Sequence, residues 1–273
     1  MQNFIAVLLV TCVLVTSSTG VATAAESAPL SVSHEFRQVG AHLAAETADF
    51  AKTPFQIENG NLLVTLGVVS AVGLSYVFDT DIRDKVQRNR SHSVDKAADI
   101  AAGVGNPYLH LGLAALVYGG GIAADSARWK STGEMLGEAL ILADGATLIL
   151  KEATGRGRPT VTDHKGDFHP FGFKNNYDSF PSMHTASSFA VASIMARTSG
   201  SLPASVLSYS AAVLVGLSRL NQDKHWASDV VLAAALGELA GRVVTWQHAR
   251  HSSVALVPTA LEGGGGVALA GHF

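Results

Sequence analysis

The chain has 273 residues, of which 48% are apolar and 15% charged, with 8 prolines and a formal net charge of -3. That length suits one large domain, and the composition is helical, lying between a soluble globule and a membrane bundle. No Lys/Arg block of the kind that tracks a phosphate backbone is present, so nucleic acid is excluded as an expected partner.

Residues 1–24 have the form of a secretory signal peptide: an apolar core from Phe4 to Val15, a polar stretch, then Ala22-Thr23-Ala24 as a small-x-small cleavage site, although no basic residue precedes the core. Cys12, the single cysteine, lies inside this segment, so the mature chain is expected to have no disulfide and no thiolate metal ligand. Residues 25–60 show little periodicity and read as an N-terminal arm.

About six apolar helical segments follow, at roughly 61–78, 94–123 with a break at Gly103 to Pro107, 131–153, 182–198, 203–217 and 226–248. The expected fold is therefore an all-α helical bundle over 61–248. The charged stretch from Asp79 to Lys96 reads as a solvated turn with some helix, and the long connection from Thr154 to Ser182 as a functional loop. Residues 249–273 form a tail in which Gly263 to Gly266 separate two short apolar runs, the pattern of a small β-hairpin or a loose extension. Two of the apolar segments are shorter than a bilayer span, and the third carries Glu134, Glu138 and Asp144, which are costly in a span unless they face a bundle interior. A helical domain exported to the periplasm or cell envelope is therefore preferred to an integral membrane protein. The Gly- and Ala-rich helices still allow membrane association.

Three short segments concentrate reactive side chains. They are Lys151-(six residues)-Arg158-Pro159, then Pro181-Ser182-Met183-His184, then Ser218-Arg219-(five residues)-His225-(three residues)-Asp229. Three cations, two histidines, a serine and a carboxylate can hold an anion and move a group onto an imidazole. Ser182, after Pro181, stands where a helix begins, as an N-cap whose neighbouring N–H groups can also bind an anion. Asp229 lies four positions after His225, which on a helix puts both on one face.

This pattern resembles the signature of the type 2 phosphatidic acid phosphatase superfamily, which includes lipid phosphatases, bacterial acid phosphatases and vanadium haloperoxidases. The resemblance implies that His225 is a nucleophile forming a phosphohistidine, that Asp229 orients it, and that His184 is the general acid and then the general base. It implies a phosphate clamp of Lys151, Arg158, Ser182, the backbone at Met183, and Arg219. Met183 departs from the glycine usual at its position and puts an apolar side chain at the pocket. Arg156 is not required by the motif and is set aside.

The expected activity is a metal-independent phosphomonoesterase acting outside the cytoplasm on a lipid phosphate or a small organic phosphate, with no cofactor and no metal site. His164, Asp167 and His169 do not have the spacing of a helical ligand pair. A vanadate-dependent haloperoxidase is the alternative within enzymes, and a non-catalytic envelope or membrane protein the alternative outside them. Phe168, Phe171, Phe173, Tyr177 and Phe180 crowd the long loop, either as a wall for an acyl or aromatic group or as packing under the helices. Nothing in the sequence defines an oligomeric state.

Overall fold

Helix ends follow the local chemistry of the chain. The computed structural model describes residues 32–57, 60–251, 255–261 and 264–270, so the expected signal peptide over 1–24 lies outside the described residues. Helix α1 spans Val32–Lys52, inside the segment expected as an arm, and a single 3₁₀ turn follows at Thr53–Phe55. Helix α2 runs from Asn61 to Arg88 and α3 from His92 to Val104, where the Ser91 hydroxyl accepts a capping bond from the Val94 N–H. Helix α4, Pro107–Ala123, opens with Asn106 accepting from the Tyr108 N–H and with proline in its first turn. Its axis bends by 47° from α3, at the break read from Gly103 to Pro107. Helix α5 spans Ala127–Thr154 between a Ser126 cap and Gly155, whose φ of 55° closes the C-terminus in the left-handed region. After the long loop come α6 (Met183–Ser199), α7 (Leu202–Asn221) and α8 (Ala227–His251). Strands β1 (Ala255–Leu261) and β2 (Gly264–Ala270) pair antiparallel with Ala255 opposite Ala270, the small hairpin read in the tail. The described architecture is thus all-α apart from that hairpin.

The core is formed by α5, α6 and α8. Leu136, Ala139, Leu140 and Ala143 of α5 meet Ala186, Ala190 and Ile194 of α6 and Ala233, Ala240 and Val244 of α8. Small residues let these helices approach closely. A Cβ at Gly237 would lie 2.2 Å from the Ala186 carbonyl oxygen, so only glycine fits there. Helices α5 to α8 alternate in direction, which brings the C-terminal ends of α5 and α7 and the N-terminal ends of α6 and α8 to one end of the bundle.

One stretch differs from the sequence expectation. The solvated turn from Asp79 to Lys96 is mostly helix, since α2 continues to Arg88 and α3 starts at His92. Two of its charges, Asp79 and Arg83, find charged partners elsewhere in the fold, while Asp81, Asp84, Lys85, Arg88 and Lys96 stay exposed as expected. Asp79 is fully buried against Arg156 and Ser228, and Arg83 forms a two-bond pair with Asp223, both bonds 2.8 Å.

The acids of α5 are likewise placed by partners. Glu138 meets His248 at 2.6 Å and Asp144 accepts from Ser187 at 2.5 Å, both facing the bundle interior. The outer faces are apolar. On α2, Leu63, Val64, Leu66, Val69 and Leu74 are all more than half exposed, and α7 exposes Val206, Leu207, Leu214 and Leu217 in the same way. Among the described residues, α2 and α7 are long and apolar enough to cross a membrane, and α3 with α4 qualify together as a third.

Candidate active site

The loop between α5 and α6 is organised around a cation. Gly155, at the end of α5, accepts from the His169 N–H at 2.8 Å, and Gly157 donates to the Asp167 carbonyl at 2.9 Å, so the loop folds back on itself across Arg156. Arg156 is wholly buried. Its guanidinium donates to Asp79 Oδ2 (2.8 Å), to Asp229 Oδ1 (2.5 Å), to the Ser228 hydroxyl (2.8 Å) and to the Lys165 carbonyl (2.9 Å). The rings of Tyr76, Phe168 and Trp226 lie within 5.1 to 5.5 Å of it. A motif reading had no reason to select Arg156. Its signal is burial, which a linear pattern does not carry, and the same holds for Asp79.

This network positions Asp229. Its Oδ2 accepts from the Ser179 hydroxyl at 2.5 Å and from the Trp226 N–H at 2.7 Å, the second bond closing the first turn of α8. His225 stands just before that helix rather than on it, so the shared helical face expected for His225 and Asp229 does not exist. The two still meet, with His225 Nδ1 3.7 Å from Asp229 Oδ2. A closer contact fixes the ring: Nδ1 lies 2.6 Å from the Ser179 carbonyl oxygen. A carbonyl can only accept, so Nδ1 carries the proton and Nε2 keeps its lone pair. Burial pushes the His225 pKa down to about 4; the Asp229 carboxylate opposes that shift, and the charge of Lys151 adds to it.

The three cations converge on the same end. Arg158 donates twice to Asp178, at 2.8 and 2.6 Å, and Lys151 donates to the Asp178 carbonyl and lies 3.9 Å from its carboxylate. Burial disfavours the Asp178 charge, but hydrogen bonds from Arg158 and the nearby Lys151 outweigh it and hold its pKa below the usual carboxylate range. Arg219 is buried and donates to Gln222 Oε1 at 2.7 Å, while its Nε–H has no partner among the described residues. An unanswered buried donor beside two more cations is a site that calls for an anion. Asp178 was missed in the sequence because it lies outside the three segments.

Ser182 takes the N-cap position of α6 without making a side-chain cap; its hydroxyl accepts from Thr185 Oγ1 at 3.0 Å, and its N–H donates to the Asp229 carbonyl at 3.2 Å. Met183 is the first residue of α6, and His184 follows, half-buried and within electrostatic reach of Arg219, His225 and Lys151. Lys151, Arg158, Ser182, Met183, His184, Arg219, His225 and Asp229 therefore all belong to one end of the bundle. The crowded aromatics divide: Phe168 and Phe180 lie over Arg156, Tyr177 donates to Asp167, and Phe171 and Phe173 are 67% and 74% exposed.

Comparison with known proteins places the same region. Residues 135–253 match the model of the PAP2 superfamily. A curated relative, "Lipid A 1-phosphatase" of Porphyromonas gingivalis, is 41% identical over 83 residues, which cover 30% of this chain and 18% of the relative. The chain thus spans less than a fifth of the curated relative it matches. The crystal structure of a transmembrane PAP2 type phosphatidylglycerolphosphate phosphatase from Bacillus subtilis superposes with a TM-score of 0.53 at 22% identity, covering 73% of this chain and 97% of that one. That of Aquifex aeolicus LpxE gives 0.48 at 20% identity, covering 62% and 95%. The fold is shared with the Bacillus protein.

Replacing Arg156 with Leu leaves Asp79 and Asp229 buried without their countercharge, which costs about 3–5 kcal/mol. Denaturant unfolding of the purified variant measures this, and a loss well under 1 kcal/mol would contradict the role assigned to Arg156.

Proposed function

We propose that the chain, whose residues 135–253 match the model of the PAP2 superfamily, is a phosphatase of that superfamily that hydrolyses a lipid phosphomonoester through a phosphohistidine. The observation that carries the reading is the paired state of His225. Its Nδ1 proton is committed to the Ser179 carbonyl at 2.6 Å, which leaves Nε2 as an unprotonated nucleophile.

In this mechanism Nε2 of His225 attacks phosphorus, a nitrogen–phosphorus bond forms, and the bond to the leaving oxygen breaks. Burial, then the charge of Arg219, pushes the His184 pKa down to about 3. A bound phosphate dianion opposes both, and the ring so protonated supplies the proton that the departing alkoxide takes up. It then removes a proton from water, whose oxygen attacks phosphorus and releases inorganic phosphate and free His225. Lys151, Arg158 and Arg219 hold the phosphoryl oxygens and offset their charge, helped by the N–H groups at the start of α6. Asp229 stabilises the imidazolium as Nε2 is phosphorylated. No step requires a metal or a cofactor.

A lipid is favoured over a small organic phosphate by the surface around the site. Helices α2 and α7 are apolar on their exposed faces and long enough to cross a membrane, and an apolar groove between α4, α6 and α7 passes Leu109, Leu113, Leu116 and Leu207 beside His110. We read the protein as membrane-embedded, with its site at one face of the bilayer on the extracytoplasmic side. This reading replaces the preference for an exported soluble domain. Vanadate would bind the same clamp as a transition-state mimic, and halide oxidation on adding it would instead favour the haloperoxidase reading.

His225→Ala is expected to abolish hydrolysis of a generic aryl phosphate while the thermal midpoint stays near that of the parent, and acid quenching of the parent during turnover should trap phosphohistidine. Retained hydrolysis overturns the assignment. The acid limb of kcat/KM should fall at about pH 4, because protonation of Nε2 there removes the nucleophile; a limb near the ordinary histidine value would mean a different group attacks. Asp178→Asn should lower the inhibition constant of inorganic phosphate roughly tenfold by releasing Arg158 and Lys151 from a competing carboxylate. Weaker phosphate inhibition would show that Asp178 orients the cations instead.

A further inference from the structure

A second group of polar side chains lies away from the phosphate clamp, where α1, α5 and α8 meet. Glu46 of α1, Glu138 of α5 and His248 of α8 each offer one ligand atom, and these atoms all lie within 4.8 Å of one another. Glu138 sits roughly 20 Å along α5 from Lys151, at 1.5 Å per residue, so the cluster is separate from the catalytic end. His248 Nε2 is 2.6 Å from Glu138 Oε2. That contact accounts for one carboxylate.

The other carboxylate is not accounted for. Glu46 is 1% exposed, and neither of its oxygens has a hydrogen-bond partner among the described residues. Burying a carboxylate without a donor is costly, and placing it beside a second carboxylate adds repulsion. Either a proton shared by the two acids or a cation between them relieves both costs, and the imidazole of His248 beside them adds a donor atom that a cation can use. His42 lies one turn before Glu46 on α1, with its ring edge-on to His248 at a centroid separation of 6.3 Å, so a fourth donor is close.

We propose that Glu46, Glu138 and His248 bind a divalent first-row transition ion, of which zinc is the probe, and that this ion staples α1 to the bundle. Two carboxylate oxygens and an imidazole nitrogen match the donor preference of zinc, whereas calcium and magnesium take oxygen ligands in larger number. The three ligands come from three helices, so binding adds a cross-link between α1 and the core where Phe50 already packs and where Asp49 accepts from Gln247. The ion has a structural role and takes no part in phosphoryl transfer. The proposal stands whether or not the phosphatase assignment does.

Untagged full-length protein, stripped with a chelator and re-equilibrated with zinc, tests this by elemental analysis and thermal unfolding. The expected result is one zinc per chain and a midpoint raised by roughly 5–10 °C at a hundredfold excess over Kd. Glu46→Gln and His248→Gln should each bind at least 100-fold more weakly, with midpoints that no longer respond to zinc. Failure of the parent to bind a stoichiometric ion overturns the proposal without reference to any variant, and so does unchanged affinity in Glu46→Gln. A midpoint that rises on acidification with no zinc bound also overturns it, by assigning the cluster to a proton shared between the two glutamates.

Discussion

Arg156, clamped between Asp79 and Asp229, is the interaction on which the rest of the site depends. All three side chains are removed from water, so the network exists only because each charge is answered and the remaining donors and acceptors are filled by Ser228, Ser179, the Trp226 N–H and the Lys165 carbonyl. Such a network is a weak source of net stability, but it is intolerant of losing one member. Its consequence is geometric. It ties α2, the long loop and the start of α8 to one point, and from that point the Ser179 carbonyl and the Asp229 carboxylate are both presented to His225.

Charge organises the neighbouring half of the site in the opposite sense. Lys151, Arg158 and Arg219 are brought together by the ends of α5 and α7 and by the loop, and bringing them together costs repulsion. Asp178 offsets it, holding Arg158 in a two-bond fork while Lys151 approaches its carbonyl and carboxylate. Phosphate offers the same planar or near-planar pairs of oxygens to the same forks. On the proposed reading, substrate binding exchanges one anion for another, so the cations are already aimed before substrate arrives. The partnerless Nε–H of Arg219 is the part of the clamp that Asp178 does not answer.

The outside of the bundle obeys a different constraint from the inside. The core is built largely of alanine and glycine contacts between α5, α6 and α8, which allow the helices to approach closely. Large aliphatic side chains are displaced to the outer faces of α2, α4 and α7. In water such faces would be a large aggregation surface; in a bilayer they are ordinary. Two of the three acids of α5, Glu138 and Asp144, turn inward to His248 and Ser187, while Glu134 lies part-exposed 3.8 Å from Lys130 near the start of the helix.

Helical periodicity alone located the apolar helices between 61 and 248, including the break before Pro107 but not the charged end of α2 from Asp79 to Arg88, because apolar spacing and turn residues act over a few neighbouring positions. The three motif segments were legible for a related reason: each is a short run whose spacing places two or three groups together without help from elsewhere. The sequence left Arg156, Asp79 and Asp178 unread, because their roles come from partners 20 to 77 positions away, and only packing brings those together. It also misplaced the link between His225 and Asp229, since where α8 starts is decided by the Trp226 and Asp229 cap. The chain by itself determined the helical class and the inventory of reactive groups. Tertiary structure decided which charges are buried, which nitrogen of His225 is free, and which apolar faces stay exposed, because each depends on long-range contacts that create a low-dielectric interior.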